Sequence, residues 1–155
     1  MLIDGVAVTA FNGLHWDDGG RTGVPSLGYL VEAAGRRYLF CGDVREYARE
    51  KLPDFPRIDC SFAHVWLGRG QALQPPWSPY LSRFCDFHAS IGASKLLLTH
   101  LFDLARPLTD LWTYEHCGPI LDALLLACPS MAVAIPRIGY PHFFDRPGSG
   151  MQARV

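Results

Sequence analysis

The sequence predicts an α/β fold with a mixed sheet, and three observations indicate it. Two short apolar runs, residues 38–41 and 95–98, have the length of buried strands. A stretch with apolar residues near helical spacing, residues 80–91, leads directly into the second run. A further helical stretch, residues 114–128, follows it and is stopped by Pro129. Helices that alternate with strands in this way favour layers of helices packed on a sheet.

The first forty residues are predicted to supply a strand and a hairpin. Residues 6–11 are apolar and β-branched, which favours a strand. Residues 27–33 and 38–41 flank the turn Ala34-Gly35-Arg36, which makes a hairpin of these two strands. Between them, residues 16–25 are polar and rich in glycine and are predicted to form a loop.

The middle of the chain is predicted to continue with shorter elements. A short helix is expected over residues 45–52 and a strand over residues 58–66. Residues 68–79 contain several prolines and glycines, so they are predicted to form an irregular surface excursion. A last strand is expected near residues 132–135.

Composition is that of one globular domain. The chain has 155 residues, of which 49% are hydrophobic, and this is enough for one core. We expect a single domain over residues 1–144 and a flexible tail over residues 145–155. The net charge of −1 excludes binding of nucleic acid through bulk positive charge.

The cysteine pattern and the lack of a signal-like N-terminal segment favour a reducing compartment. The five cysteines are odd in number and widely spaced, without a C-x-x-C pair, which is typical of core thiols in a reducing environment. No apolar run approaches the ~20 residues of a membrane span. A cytoplasmic location without membrane contact is therefore expected.

Three residues with metal-binding side chains follow predicted strands. Asp43 comes after the strand 38–41, and His100 comes after the strand 95–99. His15 follows the strand 6–11. Strand ends are rigid platforms that can hold such groups around one ion. Imidazole and carboxylate together suit Zn²⁺, whereas Ca²⁺ and Mg²⁺ require more oxygen ligands.

At these residues the chain resembles the metallo-β-lactamase fold hydrolases. In that family a His precedes a hairpin, the hairpin ends in Gly-Asp, and a later strand ends in Thr-His. Here these features are His15, Gly42-Asp43 and Thr99-His100. The likeness covers the second half of such a protein, residues 5–142. The family's principal motif, H-x-H-x-D-H, belongs to the first half and does not occur in this sequence.

The resemblance implies a fold, a site and a reaction. The fold would be half of a four-layer αββα sandwich, with a mixed sheet and helices on one face. His15, Asp43 and His100 would be metal ligands, and Asp43, the bridging carboxylate, would also be a catalytic residue. The strands that end at Asp43 and His100 would be neighbours in the sheet. Metal-bound hydroxide would hydrolyse a phosphodiester or another ester-type bond, with zinc or another divalent transition metal as cofactor.

The missing motif leaves alternatives open. Three ligands hold at most one ion, so the chain could be truncated and inactive alone, with a missing N-terminal half encoded upstream or on a second chain. A homo-oligomer is the other possible partner arrangement. The small-molecule or phosphodiester substrate and its binding residues remain unassigned. The alternative function is a non-catalytic α/β interaction module that pairs through an exposed sheet face.

Individually, the candidate residues also have ordinary structural interpretations. An Asp after Gly is commonly a turn residue or a helix cap, and a His at a strand end commonly hydrogen-bonds a carbonyl group. His64, inside a predicted strand, is expected to be a hydrogen-bonded histidine of the core or its rim. His88 is expected on a helix near the surface.

Overall fold

A computed structural model of the chain shows one mixed sheet with helices packed on it. The structure describes residues 1–16, 22–68, 75–99, 117–137 and 139–140. Within these residues the elements are β1 (Leu2–Ile3), β2 (Val6–Asn12), β3 (Leu27–Ala33), β4 (Arg36–Phe40), a single 3-10 turn (Arg49–Lys51), β5 (Cys60–His64), α1 (Pro79–Ile91), β6 (Lys95–Thr99), α2 (Cys117–Ala127) and β7 (Ala132–Ala134).

The strands lie in the sheet in the order in which they occur along the chain. The pairs β1–β2, β2–β3 and β3–β4 are antiparallel, and the pairs β4–β5, β5–β6 and β6–β7 are parallel. Because β2 runs opposite to β3, and β3 opposite to β4, strand β2 has the same direction as β4, β5 and β6. The C-terminal ends of these four strands therefore meet at one edge of the sheet, which we call the C-terminal edge.

Two tight turns join the antiparallel strands. The predicted hairpin of β3 and β4 is present, and its turn residues Ala34 and Gly35 have φ values of 49° and 73°. The same geometry joins β1 to β2, where Asp4 and Gly5 have φ values of 46° and 80°. Turns with positive φ at both central residues match the twist of paired strands. Strand β1 is not among the predicted strands, although Asp-Gly is a strong hairpin signal.

The two helices connect the parallel strands and cover one face of the sheet. Helix α1 lies between β5 and β6 in the chain, and α2 lies between β6 and β7. Side chains from both helices and from the strands form one buried cluster, which includes Ala63, Phe84, Leu98, Ile120 and Leu124. A mixed sheet with helices on one face is thus confirmed.

The opposite face of the sheet is also largely apolar. The strand registers place Val31, Tyr38, Phe40 and Phe62 together on this face. The rings of Phe40 and Phe62 stack with centroids 4.2 Å apart. All four side chains are partly exposed. Toward β2 the exposure rises, and Tyr29 is 40% exposed.

The expected helix over residues 45–52 is wrong. Only Arg49–Lys51 form a single 3-10 turn. The amide groups of Arg45 and Glu46 both donate to the carbonyl group of Leu14, at 2.8 and 3.1 Å. These donors hold the segment after β4 against the segment after β2, and this interaction replaces helical hydrogen bonding.

Four of the five cysteines are core thiols, as expected, and Cys128 is partly exposed. All five are free, and Cys41, Cys60, Cys85 and Cys117 are buried. Burial raises the pKa of the Cys41 thiol to about 12 and that of Cys60 to about 11. Both thiols therefore remain protonated at neutral pH. Within the described part of the chain, no helix combines the length and apolar character that crossing a bilayer requires.

The expected surface position of His88 is wrong. The side chain lies on α1 at helical spacing from Leu81, Phe84 and Cys85, and it is buried with them. The edges of the Phe84 and Phe87 rings enclose it, at centroid distances of 4.6 and 5.1 Å. Neither ring nitrogen has a hydrogen-bond partner among the described residues. Burial, together with a smaller effect of nearby His64, lowers the pKa of His88 to about 3.

This burial predicts an acid-sensitive contribution to stability. The unfolded chain binds a proton at His88 near pH 6.5, whereas the folded chain does so only near pH 3, so stability falls as the pH falls between these values. The loss is about 2 kcal/mol between pH 7 and pH 5. We expect His88→Leu to remove it, as measured by urea denaturation at both pH values.

The control for this experiment is His15→Leu, which replaces a partly buried imidazole and should leave the His88 contribution in place. An acid-side loss of the same size in His88→Leu and in the wild type would contradict the burial of a neutral His88.

Candidate metal centre

The C-terminal edge of the sheet collects the polar groups that follow four strands. Segments after β2 and β4 bring His15 and Asp43 to this edge, and β5 and β6 end there at His64 and Thr99. Ligands of α/β sheets commonly bind outside the carboxyl ends of the strands. The edge is therefore the candidate site that the fold itself defines.

Asp43 is positioned by a turn that only glycine accommodates well. Gly42 has a φ of 73°, in the left-handed region. A Cβ atom at this position would lie 2.8 Å from the carbonyl oxygen of Leu27, which is a backbone atom and cannot rotate away. The turn carries the chain out of β4 and leaves the Asp43 side chain 49% exposed. A carboxylate in this position is open to a ligand.

The carboxylate of Asp43 contacts a histidine that the sequence had not placed at the site. The Nδ1 atom of His64 lies 3.4 Å from Oδ1 of Asp43. This separation is within ion-pair range and is long for a hydrogen bond. The His64 side chain is only 9% exposed. A buried imidazole thus lies directly behind a half-exposed carboxylate.

His15 reaches the same edge through backbone contacts. The carbonyl group of Leu14 accepts the two amide donors that follow Asp43 in the chain. The ring of His15 is held from the other side, because the amide of Val24 donates to its Nδ1 atom at 3.3 Å. At Gly23 a Cβ atom would lie 2.2 Å from the His15 carbonyl oxygen, so glycine is required for this close approach.

The order of the strands corrects one implication of the family resemblance. The strands that end near Asp43 and at Thr99 are not neighbours, because β5 lies between them. The residue beside Asp43 is therefore His64, at the end of the intervening strand. The expectation of adjacent strands is wrong, although both strands do end at the same edge.

The position of the third predicted ligand lies outside the described residues. His100 follows Thr99, which is the last residue of β6. The hydroxyl group of Thr99 donates to the carbonyl oxygen of Ala63 at 2.9 Å, and the amide of Val65 donates to the Thr99 carbonyl oxygen at 3.3 Å. These bonds tie the end of β6 to the end of β5.

The side chains at the C-terminal edge are of the types that bind transition metals. Asp43 offers a half-exposed carboxylate, and His15 offers a partly exposed imidazole on the adjoining segment. Imidazole and carboxylate are ligands that Zn²⁺ accepts. Within the described ranges, which exclude His100, no group of three or more His, Cys, Asp or Glu side chains is arranged to hold a metal ion.

The hydrogen bond of His15 bears on its use as a ligand. Because Nδ1 accepts a hydrogen bond from the amide of Val24, the neutral ring carries its own proton on Nε2, and neither nitrogen has a free lone pair. A bond of 3.3 Å contributes no more than about 1 kcal/mol. Structural zinc sites supply about 10–16 kcal/mol of binding free energy at neutral pH. Loss of this one bond is therefore a small cost of metal binding.

Two features of the edge were missed by reasoning from the sequence. The sequence predicts a strand over residues 58–66, which places His64 inside it as a core or rim histidine, whereas β5 ends at His64 itself. The contact between Arg45 and Trp66, whose guanidinium carbon and ring centroid are 5.8 Å apart, has no spacing signal. It results from the turn after β4 and from the pairing of β4 with β5.

Comparison with solved structures identifies the fold. The chain is similar to a protein from Parabacteroides distasonis described as a candidate metal-dependent hydrolase, with a TM-score of 0.54 and 18% identity over 86% of this chain. It is also similar to the metallo-β-lactamase fold protein YhfI from Bacillus subtilis, with a TM-score of 0.52 and 13% identity over 90% of this chain. No protein-family model and no curated protein sequence matches the chain.

The extent of these matches agrees with a partial domain. The aligned region covers 51% of the Parabacteroides protein and 49% of YhfI, so the chain spans about half the length of each. At these identities the likeness is one of fold. The chain has half of the metallo-β-lactamase fold, with a mixed sheet and its helices on one face.

The turn at Gly42 gives a test of how Asp43 is held. Gly42→Ala adds a Cβ atom against the Leu27 carbonyl group at a positive φ, and we expect a loss of about 2–3 kcal/mol in the free energy of unfolding. Gly35→Ala is a matched control, because Gly35 also has a φ of 73° but has no atom within 4 Å of the added Cβ. Its loss should be about 1 kcal/mol.

Urea denaturation of both variants measures the difference. Equal losses at the two positions would show that the Leu27 contact does not constrain the turn before Asp43.

Proposed function

We propose that this chain is part of a metal-dependent hydrolase that cleaves a phosphodiester or another ester-type bond, with zinc as its metal. His15, Asp43 and His100 are the proposed ligands, and Asp43 is the proposed catalytic carboxylate. The observation that carries this proposal is the shared C-terminal edge, where the segments after β2 and β4 bring His15 and Asp43 and where β6 ends one residue before His100. The likeness in fold to a candidate metal-dependent hydrolase supports it.

The residues of this chain have distinct tasks in such a site. A bound metal supplies Lewis acidity and lowers the pKa of water toward neutrality, which makes hydroxide available as the nucleophile. Asp43 offers its half-exposed carboxylate as a ligand. His64 contacts Oδ1 of that carboxylate from the buried side and restricts its rotation. Such outer contacts orient a ligand and typically change metal affinity by about 10–100-fold.

The proposed site is incomplete within this chain. Three protein ligands hold one ion, and the H-x-H-x-D-H motif that would supply further ligands is not in the sequence. The complete site would need the other half of the fold, either as an N-terminal half or on a second chain that carries the motif. The partly exposed apolar face of β2 to β5 is the surface on which that half would pack.

Zinc binding by the chain alone tests the ligand assignment. We expect one weakly held zinc ion, and we expect Asp43→Asn and His100→Asn each to weaken binding by at least about 100-fold, since each removes a ligand in a set of three. Competition with a chromophoric chelator measures the affinity. Asp86→Asn, an exposed acid on α1, is the matched control and should bind zinc as the wild type does.

Hydrolytic activity provides a second test of the ligand assignment. With bis(p-nitrophenyl) phosphate as substrate, the chain alone should show little or no hydrolysis. Hydrolysis that persisted in both Asp43→Ala and His100→Ala, or zinc affinity that neither asparagine substitution changed, would contradict the assignment.

A non-catalytic interaction module is the second candidate, and the exposed sheet face favours it. Leu27 and Tyr29 on this face are 49% and 40% exposed, beside the partly exposed pair Phe40 and Phe62. Large contiguous apolar surfaces on soluble proteins commonly mark sites of association. An interaction module would pair through this face with no need of metal.

The genomic DNA directly upstream distinguishes the two candidates. An in-frame segment that encodes H-x-H-x-D-H would support a divided or truncated hydrolase. A closed upstream frame, together with a stable and metal-free protein, would support the interaction module.

A further inference from the structure

Arg45 lies at the C-terminal edge, two residues after Asp43, and has a defined position there. Its guanidinium carbon lies 5.8 Å from the centroid of the Trp66 ring. Trp66 follows β5 by two residues and is buried. The guanidinium group therefore extends from the segment after β4 over the segment that follows β5.

The Trp66 platform is itself held in place. The hydroxyl group of Tyr47 donates to the Trp66 carbonyl oxygen. The ring of Tyr80 meets the Trp66 ring edge-on at a centroid distance of 4.8 Å. An arginine that rests on a fixed aromatic ring loses less conformational freedom when it binds a ligand.

The guanidinium group of Arg45 has no anionic partner among the described residues. The carboxylate of Glu46, next in the chain, pairs with Lys51, and that of Asp43 contacts His64. The Nε atom of Arg45 is buried and donates no hydrogen bond to any described group. A buried donor without an acceptor is destabilising, so the site lacks an acceptor at this point.

An oxyanion is the kind of partner that the guanidinium group of Arg45 lacks among the described residues. Phosphate and carboxylate groups present two oxygens in the spacing of the guanidinium fork, and Nε takes part in such paired hydrogen bonds. An anion paired with the guanidinium group would balance its positive charge. Arg45 follows Asp43, the carboxylate that we assign to the metal, by two residues in the chain.

We propose that Arg45 is a substrate-binding residue that holds an oxyanion group of the substrate at the C-terminal edge. The role of Arg45 in substrate binding rests on the proposed hydrolase function, whereas its role in anion binding rests on its own contacts alone. Among the candidate substrates, an anionic phosphodiester is favoured over an uncharged ester or thioester. Arg45 also explains how a chain with a net charge of −1 attracts an anion, because recognition is local.

Phosphate binding to the metal-free chain tests the proposal. The protein is stripped of metal and dialysed free of chelator, and inorganic phosphate is added at constant ionic strength. Binding is followed by NMR through the indole N–H resonance of Trp66, which is identified with Trp66→Phe. A parallel titration with acetate shows whether the site takes a carboxylate as well as a phosphate.

We expect saturable binding to the wild type and at least about tenfold weaker binding to Arg45→Gln. Arg45→Lys should be intermediate, since it keeps the charge but loses the planar fork. Arg83→Gln is the matched control, because Arg83 also lies over an aromatic ring, 5.4 Å from the Tyr80 centroid, but is on the exposed side of α1. It should bind phosphate within about twofold of the wild type.

Equal phosphate affinity in Arg45→Gln and the wild type would overturn the proposal, as would the absence of both phosphate and acetate binding. A dispersed amide spectrum of Arg45→Gln confirms that the variant is folded. Zinc affinity, measured on the same samples, separates this proposal from the hydrolase assignment. Arg45-dependent phosphate binding in a chain that binds no zinc would support the anion site and contradict the metal site.

Discussion

The common direction of β2, β4, β5 and β6 is the constraint on which the candidate site depends. Each of these strands ends at the same edge, so groups that are far apart in the sequence arrive together without long connections. The parallel pairs are held by helices α1 and α2, whose apolar faces pack on one side of the sheet. Reversal of any one strand would move its terminal residue to the opposite edge.

Burial at this edge divides the polar groups into two kinds. Asp43 is half-exposed and available to a ligand, whereas His64 behind it is almost fully buried. A buried polar side chain is costly unless it interacts with another group, and the contact with Asp43 provides such an interaction. His88, farther from the edge on α1, is neutral at physiological pH because burial lowers its pKa. His88 therefore adds no positive charge to α1 at this pH.

Much of the fold could be predicted from the sequence because its signals are local. The hairpin of β3 and β4, the helix α1 and the strand β6 follow from short apolar runs, from apolar residues at helical spacing and from turn residues. The failures have non-local causes. Residues 45–52 have a helical pattern, but the amide groups of Arg45 and Glu46 bond to the carbonyl group of Leu14, which lies far earlier in the chain.

Only part of the candidate site could be predicted from the sequence. The position of Asp43 follows from the Gly-Asp pair at the end of a strand, because the left-handed turn at Gly42 is a local feature. The partner of that carboxylate could not be predicted, because it depends on which strand lies next to β4. The sheet order places β5 there and brings His64 to Asp43. Arg45 and Trp66 meet for the same reason.

A zinc-soaked crystal, measured at the zinc absorption edge, tests the central claim most directly. An anomalous peak at about 2.0–2.2 Å from a carboxylate oxygen of Asp43, with an imidazole nitrogen of His15 at a similar distance, is the result that a metal site at the C-terminal edge predicts. A zinc ion bound elsewhere, with Asp43 contacting only His64, would contradict it.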